Sequence, residues 1–238
     1  MIKTGYDSLV ENTNVLLDMP FEEATGGITR DLAKPHHNDV TLVGTPIWTP
    51  LASGTGVLEL DGATQYGELA AANCNDLNFT MGAYWFTCWL NWTSGPNTQI
   101  IAGRYELDSS GWEIYLYAAA PNFSVSLRHN HASLAPNPVR TACYSYGWTQ
   151  SRWWFLGINR VGLYPRMYRN GRRVPVGYSV GGVNDPDTCN RDLVIGTRYT
   201  KNANFYQNQM WRPRMGSGFL SETLMWHLFQ KDKARFGL

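Results

Sequence analysis

The chain has 238 residues, 43% of them hydrophobic and only 16% charged, with 10 Trp, 13 Tyr, 9 Phe and a formal net charge of +1. That length suits one all-β sandwich, which commonly runs to roughly 200 to 250 residues. Near-neutral charge excludes a dedicated nucleic-acid binder with a strongly basic face, and no apolar run is long enough for membrane insertion.

Residues 1–13 read as an arm outside the domain, with Met1, Ile2, Tyr6, Leu9 and Val10 as its docking side chains. The opening Met1-Ile2-Lys3-Thr4-Gly5-Tyr6-Asp7 lacks the sections of a secretory leader, so synthesis in a cytoplasm is expected. A single domain is expected over 14–238. Its strands read at 14–21, 40–43, 57–60, 66–70 and 80–92, the last apolar on both faces as a central strand should be.

Further strands read at 98–105, 111–118 and 122–128. In Trp112-Glu113-Ile114-Tyr115-Leu116-Tyr117, alternation sets Trp112, Ile114 and Leu116 on a core face and Glu113, Tyr115 and Tyr117 on a polar-aromatic one. After a strand at 153–160, Asn170-Gly171 marks a two-residue hairpin, because both turn positions need positive φ. Strands at 193–197 and 205–211 close the β set. A helix is expected at about 221–235, capped by Ser221, with Leu220, Leu224, Met225, Leu228 and Phe229 on one face.

Charge is segregated along the chain: residues 1–151 hold 6 basic and 14 acidic side chains, whereas residues 152–214 hold 11 and 3. This would support head-to-tail or lattice contacts, unless a sandwich interleaves early and late strands and cancels the asymmetry. Cys74, Cys88, Cys143 and Cys189 form no C-x-x-C pair and read as packed, reduced thiols.

Several motifs, in order, resemble those of the concanavalin A-like, laminin G-like jelly-roll domains. They are Leu58-Glu59-Leu60-Asp61-Gly62, Phe86-Thr87-Cys88-Trp89-Leu90, Trp153-Trp154-Phe155-Leu156-Gly157, Tyr168-Arg169-Asn170-Gly171, Asp192-Leu193-Val194-Ile195-Gly196 and Met210-Trp211-Arg212-Pro213-Arg214. The resemblance implies an all-β, two-sheet antiparallel jelly-roll sandwich of roughly six or seven strands per sheet. Such domains occur in receptors, lectins, glycanase appendages and structural proteins of tailed phages, so the fold alone does not fix the function.

Glycanases on this fold pair carboxylates along one strand. Glu59 with Asp61 and Glu106 with Asp108 share strand faces, but neither pair continues into the glycanase pattern, and Asp61 reads as an Asp-Gly turn residue. No enzyme and no cofactor is expected. Calcium is the one ion that the resemblance admits, at Asp31, although Asn208, Gln209 and Met210 stand where a second carboxylate would be. His129 with His131, and His36 with His37, read as solvated loop residues.

Tyr105, Trp112, Tyr115, Tyr117, Tyr144, Tyr146 and Trp148 form an aromatic group suited either to stacking on sugar rings or to core and inter-subunit packing. Two functions follow. The first is a non-catalytic virion component, a capsid decoration, head fibre or tail part, that docks on other virion proteins, forms homo-oligomer or lattice contacts and adheres to polysaccharide. The second is a lectin-type carbohydrate-binding module.

Overall fold

The computed structural model describes residues 12, 14–33, 38–93, 95, 97–118, 122–132 and 140–238. The arm residues Met1, Ile2, Tyr6, Leu9 and Val10 lie outside the described residues, as do His36 and His37.

The chain folds into β1 (Val15–Asp18), β2 (Ile28–Thr29), β3 (Val40–Val43), β4 (Ile47–Pro50), β5 (Gly56–Asp61), β6 (Tyr66–Leu69), β7 (Tyr84–Trp92), β8 (Thr98–Glu106) and β9 (Ser110–Tyr117). There follow β10 (Ser124–His131), β11 (Arg140–Tyr146), β12 (Trp153–Arg160), β13 (Arg166–Arg169), β14 (Arg172–Val174), β15 (Gly177–Tyr178), β16 (Leu193–Ile195), β17 (Gln207–Ser217) and helix α1 (Glu222–Asp232). An eight-stranded sheet has the order β14-β13-β12-β7-β17-β5-β4, with β1 also paired to β17. A nine-stranded sheet runs β15-β11-β10-β9-β8-β16-β6-β3-β2. Both are antiparallel, and one buried apolar cluster joins them into a sandwich.

These sheets are wider than the expected six or seven strands because short edge pieces extend them. β2, β4 and β15 hold two to four residues each, too few for alternation to announce. β17 runs on past Trp211, where Arg212-Pro213 would end an ordinary strand. Its register shifts between Trp211 and Arg214, and this bulge absorbs the proline before β1 takes over the edge.

β7 sits mid-sheet and is buried on both faces. Tyr84, Phe86, Cys88, Leu90 and Trp92 alternate with Trp85, Thr87 and Trp89, whose side is covered by α1 and the 3-10 turn Lys233–Phe236. Trp89 therefore lies outside the space between the sheets, stacked on Phe236 at a 4.2 Å centroid distance and flanked by Phe229 and Phe155. Ser221 caps α1 by accepting from the Leu224 N–H, and Met225, Leu228 and Phe229 are buried. Gly157 makes room for this packing, since a Cβ there would stand 2.7 Å from the Met225 sulfur. At the β13–β14 turn Asn170 and Gly171 both have positive φ, 50° and 72°, as a type I′ hairpin requires.

The sandwich interleaves the charges that the sequence separates. Arg212 grips Asp18 bidentately at 3.0 and 3.1 Å, Arg198 reaches Glu113, Arg191 pairs with Glu106, and Lys201 lies 2.7 Å from both Glu68 and Asp192. The four cysteines are buried and unbonded.

His129 and His131, read above as solvated loop residues, are buried on β10, which continues past the point where its alternation fades. His129 faces the core. Its Nδ1 is 2.7 Å from the Asn184 carbonyl, which can only accept, so Nδ1 carries the proton and Nε2 accepts from the Tyr84 hydroxyl at 2.7 Å.

Candidate functional site: the outer face of the nine-stranded sheet

With α1 covering one sheet, the other broad face is the outer side of β8 to β11. The cross-strand register builds it in three rows. Tyr117, Ser124 and Tyr146 form the first, Tyr115, Ser126 and Tyr144 the second, and Glu113, Arg128 and Ala142 the third. The serines are buried between the rings, while Tyr117 is 44% and Tyr146 57% exposed. The two exposed rings thus flank a floor two strand spacings wide, roughly 10 Å. Tyr144 and Tyr146 meet edge to face at 5.3 Å, a geometry that fixes their orientation.

Electrostatics organise the third row. Glu113, expected on a wet face, is 1% exposed, because two guanidiniums close over it. Arg128 donates to one carboxylate oxygen and Arg198 Nε to the other at 3.4 Å. Arg128 also lies over the rings of Tyr105 and Tyr115, at 4.7 and 4.9 Å. The network leaves one positive charge beside the tyrosines. We expect Glu113→Gln to destabilise the fold by about 2 to 3 kcal/mol, since the largely buried Arg128 and the partly buried Arg198 lose their counter-ion. Denaturant titration checks this, and Arg198→Gln, which leaves Arg128 in place, should cost less than half as much.

Sequence reasoning gathered seven aromatic residues, and the structure divides them. Tyr115, Tyr117, Tyr144 and Tyr146 share the outer face. Trp112 points inward, donating from Nε1 to the Leu77 carbonyl at 2.8 Å. Trp148 is fully buried against Trp154, and Tyr105 lies buried beneath Arg128, edge to face with Tyr199. Those three present no ring to a ligand. Burial pushes the Tyr105 phenol up, away from ionisation. Arg128 and Arg198 were missed. Arg128 shares the parity of Ser124 and Ser126, which is the one local signal that could have found it.

The carboxylates are engaged elsewhere. Asp31 accepts from the backbone N–H groups of Asp18, Ala33 and Asn38 at 2.8 to 3.0 Å and so staples the loop after β2 to β1. Burial raises its pKa against the pull of those hydrogen bonds. Among the described residues, no group of three or more His, Cys, Asp or Glu side chains is placed to hold a metal ion. Asp61 is a turn residue, receiving the N–H groups of Ala63, Thr64 and Gln65 and the Thr64 hydroxyl. Slight burial opposes ionisation there, but these donors win and bring its pKa to about 2. Glu59 accepts from Thr49 and Gln209, Glu106 pairs with Arg191, and Asp108 pairs with Arg140.

No protein-family model matches the sequence, and neither does any curated protein. Solved structures do resemble the fold. The receptor-binding domain of botulinum neurotoxin mosaic serotype C/D superposes with a TM-score of 0.69 at 13% identity, over 92% of this chain and 51% of that one. The ligand-binding domain of serotype D in complex with N-acetylneuraminic acid gives 0.67 at 12% identity, over 92% and 51%. The serotype G binding domain gives 0.69 at 12%, over 93% and 52%. The chain thus spans about half the length of these structures, and what the likeness establishes is the fold, a two-sheet β-sandwich of the lectin-like jelly-roll kind.

Proposed function

We propose that this protein is a non-catalytic carbohydrate-binding module that holds oligosaccharide on the tyrosine face of its nine-stranded sheet. The observation that carries this reading is the pair of exposed rings, Tyr117 and Tyr146, set across a serine floor with Tyr115, Tyr144 and the Arg128 guanidinium behind them. Sugar rings offer an apolar C–H face for stacking and hydroxyls for the phenol and guanidinium groups. The engaged carboxylates support the non-catalytic part, because a glycoside hydrolase needs two of them facing one bond. The likeness to domains crystallised as receptor-binding and ligand-binding units supports the binding role.

The finer reading, a virion component made in a host cytoplasm and docked on other virion proteins through its arm, draws on the sequence alone, with the laminin G-like motif order in a nearly single-domain chain foremost. It adds no residue to the site.

A glycan array followed by calorimetry on the best oligosaccharide tests the proposal. Each stacked ring should be worth about 1 kcal/mol, so the Tyr117→Ala/Tyr146→Ala variant should bind roughly tenfold or more weakly with an unchanged melting curve. A flat array, or a variant with undiminished affinity, would remove the tyrosine face as the site.

A further inference from the structure

The interleaving that neutralises most of the late arginines leaves one group unmatched. At the β13–β14 hairpin, Arg169 and Arg172 are cross-strand partners flanking the Asn170-Gly171 turn. The Arg169 guanidinium lies 5.3 Å from the centre of the Trp154 ring, and Arg152 lies 4.3 Å from the same ring. Arg172 stacks on Trp226 of α1 at 3.8 Å. Arg173 reaches only Glu222, at the 4.0 Å limit of an ion pair, with both side chains 58% exposed. Among the described residues no carboxylate pairs with Arg152, Arg169 or Arg172.

Four guanidiniums therefore lie along this edge with a single acid, and three of them sit over indole rings, Arg152 and Arg169 over Trp154 and Arg172 over Trp226. Stacking removes rotamer freedom, and Arg152 and Arg172 make no hydrogen bond within the described fold, so their donor forks are available for planar, bidentate capture of an oxyanion. Burial, and next the charge of Arg152, lower the pKa of Arg169. The group also adjoins the tyrosine face, because Arg169 Nη1 donates to the carbonyls of Tyr146 and Gly147 at 3.1 and 2.6 Å.

We infer that the glycan held by this module is an acidic polysaccharide, whose carboxylates are taken by Arg152, Arg169 and Arg172 while its rings lie on Tyr146 and Tyr117. The inference deepens the carbohydrate-binding reading and rests on it. Nucleic acid is disfavoured as the occupant, since the whole chain carries a net charge of only +1 and a nucleic-acid site draws on a broader basic face.

The test measures binding of the full chain to polygalacturonate, to uncharged dextran, to duplex DNA and to vesicles of anionic phospholipid, at two salt concentrations. Arg152→Gln/Arg172→Gln removes two forks that make no hydrogen bond within the described fold, and the loss of their indole stacks should lower the melting temperature by only a few degrees. We expect polygalacturonate to bind best and the variant to lose roughly tenfold or more in affinity, with a shallower salt dependence. A charge-matched Arg30→Gln/Arg166→Gln variant should stay within about twofold of the parent. Equal loss in the two variants, equal binding of dextran, or tighter binding of DNA or vesicles would each overturn the inference. The tyrosine variant separates the two claims. If it loses polygalacturonate binding while the arginine variant keeps it, only the acidic specificity fails, and the reverse outcome sinks the tyrosine face alone.

Discussion

Replacing Trp89 by Ala is expected to cost about 3 to 5 kcal/mol, the range for emptying a buried aromatic site. That is at least about a fifth of the 5 to 15 kcal/mol by which a domain is normally folded. The indole is 2% exposed and touches three rings, Phe155 from β12, Phe229 from α1 and Phe236 from the final 3-10 turn. Its removal leaves a cavity that the sheet cannot close, because β7 is pinned on both sides by β12 and β17. The collapse must come from the C-terminal segment. We therefore expect two signals, a lower denaturant midpoint and faster proteolysis after residue 220, with glycan binding per folded molecule unchanged. Trp89→Phe, which keeps one ring in the stack, should recover more than half of the loss. A Trp89→Ala protein that unfolds at the parental midpoint would contradict this packing.

The position of Trp89 shows which parts of the fold are legible in sequence. The run 80–92 is apolar at both parities, which says that both of its faces are covered but not what covers each one. The amphipathic face of 221–235 says that a helix must bury one side, but not against which sheet. The stack at Trp89 joins those two half-statements, and only tertiary structure supplies the join.

The candidate site divides in the same way. Tyr115 and Tyr117 could be assigned to an outer face from alternation alone. Tyr144 and Tyr146 could not be set beside them, because β11 (Arg140–Tyr146) buries small or polar groups, Thr141, Cys143 and Ser145, and so lacks an apolar stripe. Register then decides the rest. Glu113 looks solvent-facing in any local window, yet its two cations come from 15 and 85 residues further along the chain. Trp148 is drawn inside by packing against Trp154, which leaves no local signal, whereas the alternation of 112–117 already set Trp112 on the core face.

Acidification should weaken the fold chiefly through one residue, and the sign follows from its environment. Burial above all, then the nearby Arg160 and His131 charges, hold His129 neutral, with its pKa lowered from 6.5 to about 3 although the Asn184 carbonyl favours the proton. An unfolded chain takes up a proton at His129 below pH 6.5, whereas the folded one refuses it until about pH 3. The unfolded state therefore binds more protons throughout that window, and stability must fall as the pH falls. The slope from this group approaches about 1.4 kcal/mol per pH unit and sums to roughly 4 to 5 kcal/mol by the lower end. Asp31 and Asp232 act in the opposite sense, since burial raises both of their pKa values and their folded carboxyls accept protons early. Raw pH curves mix these terms, and a variant separates them. His129→Gln keeps a donor and an acceptor between Asn184 and Tyr84 but cannot titrate. Urea unfolding at pH 7, 6, 5 and 4 should show the parent losing stability more steeply than the variant, so that parental minus variant stability falls with acid, and changes sign where the variant loses little at pH 7. Parallel curves would mean that His129 meets a proton in the folded state as readily as in the unfolded one, which its two short hydrogen bonds and its place between the sheets oppose.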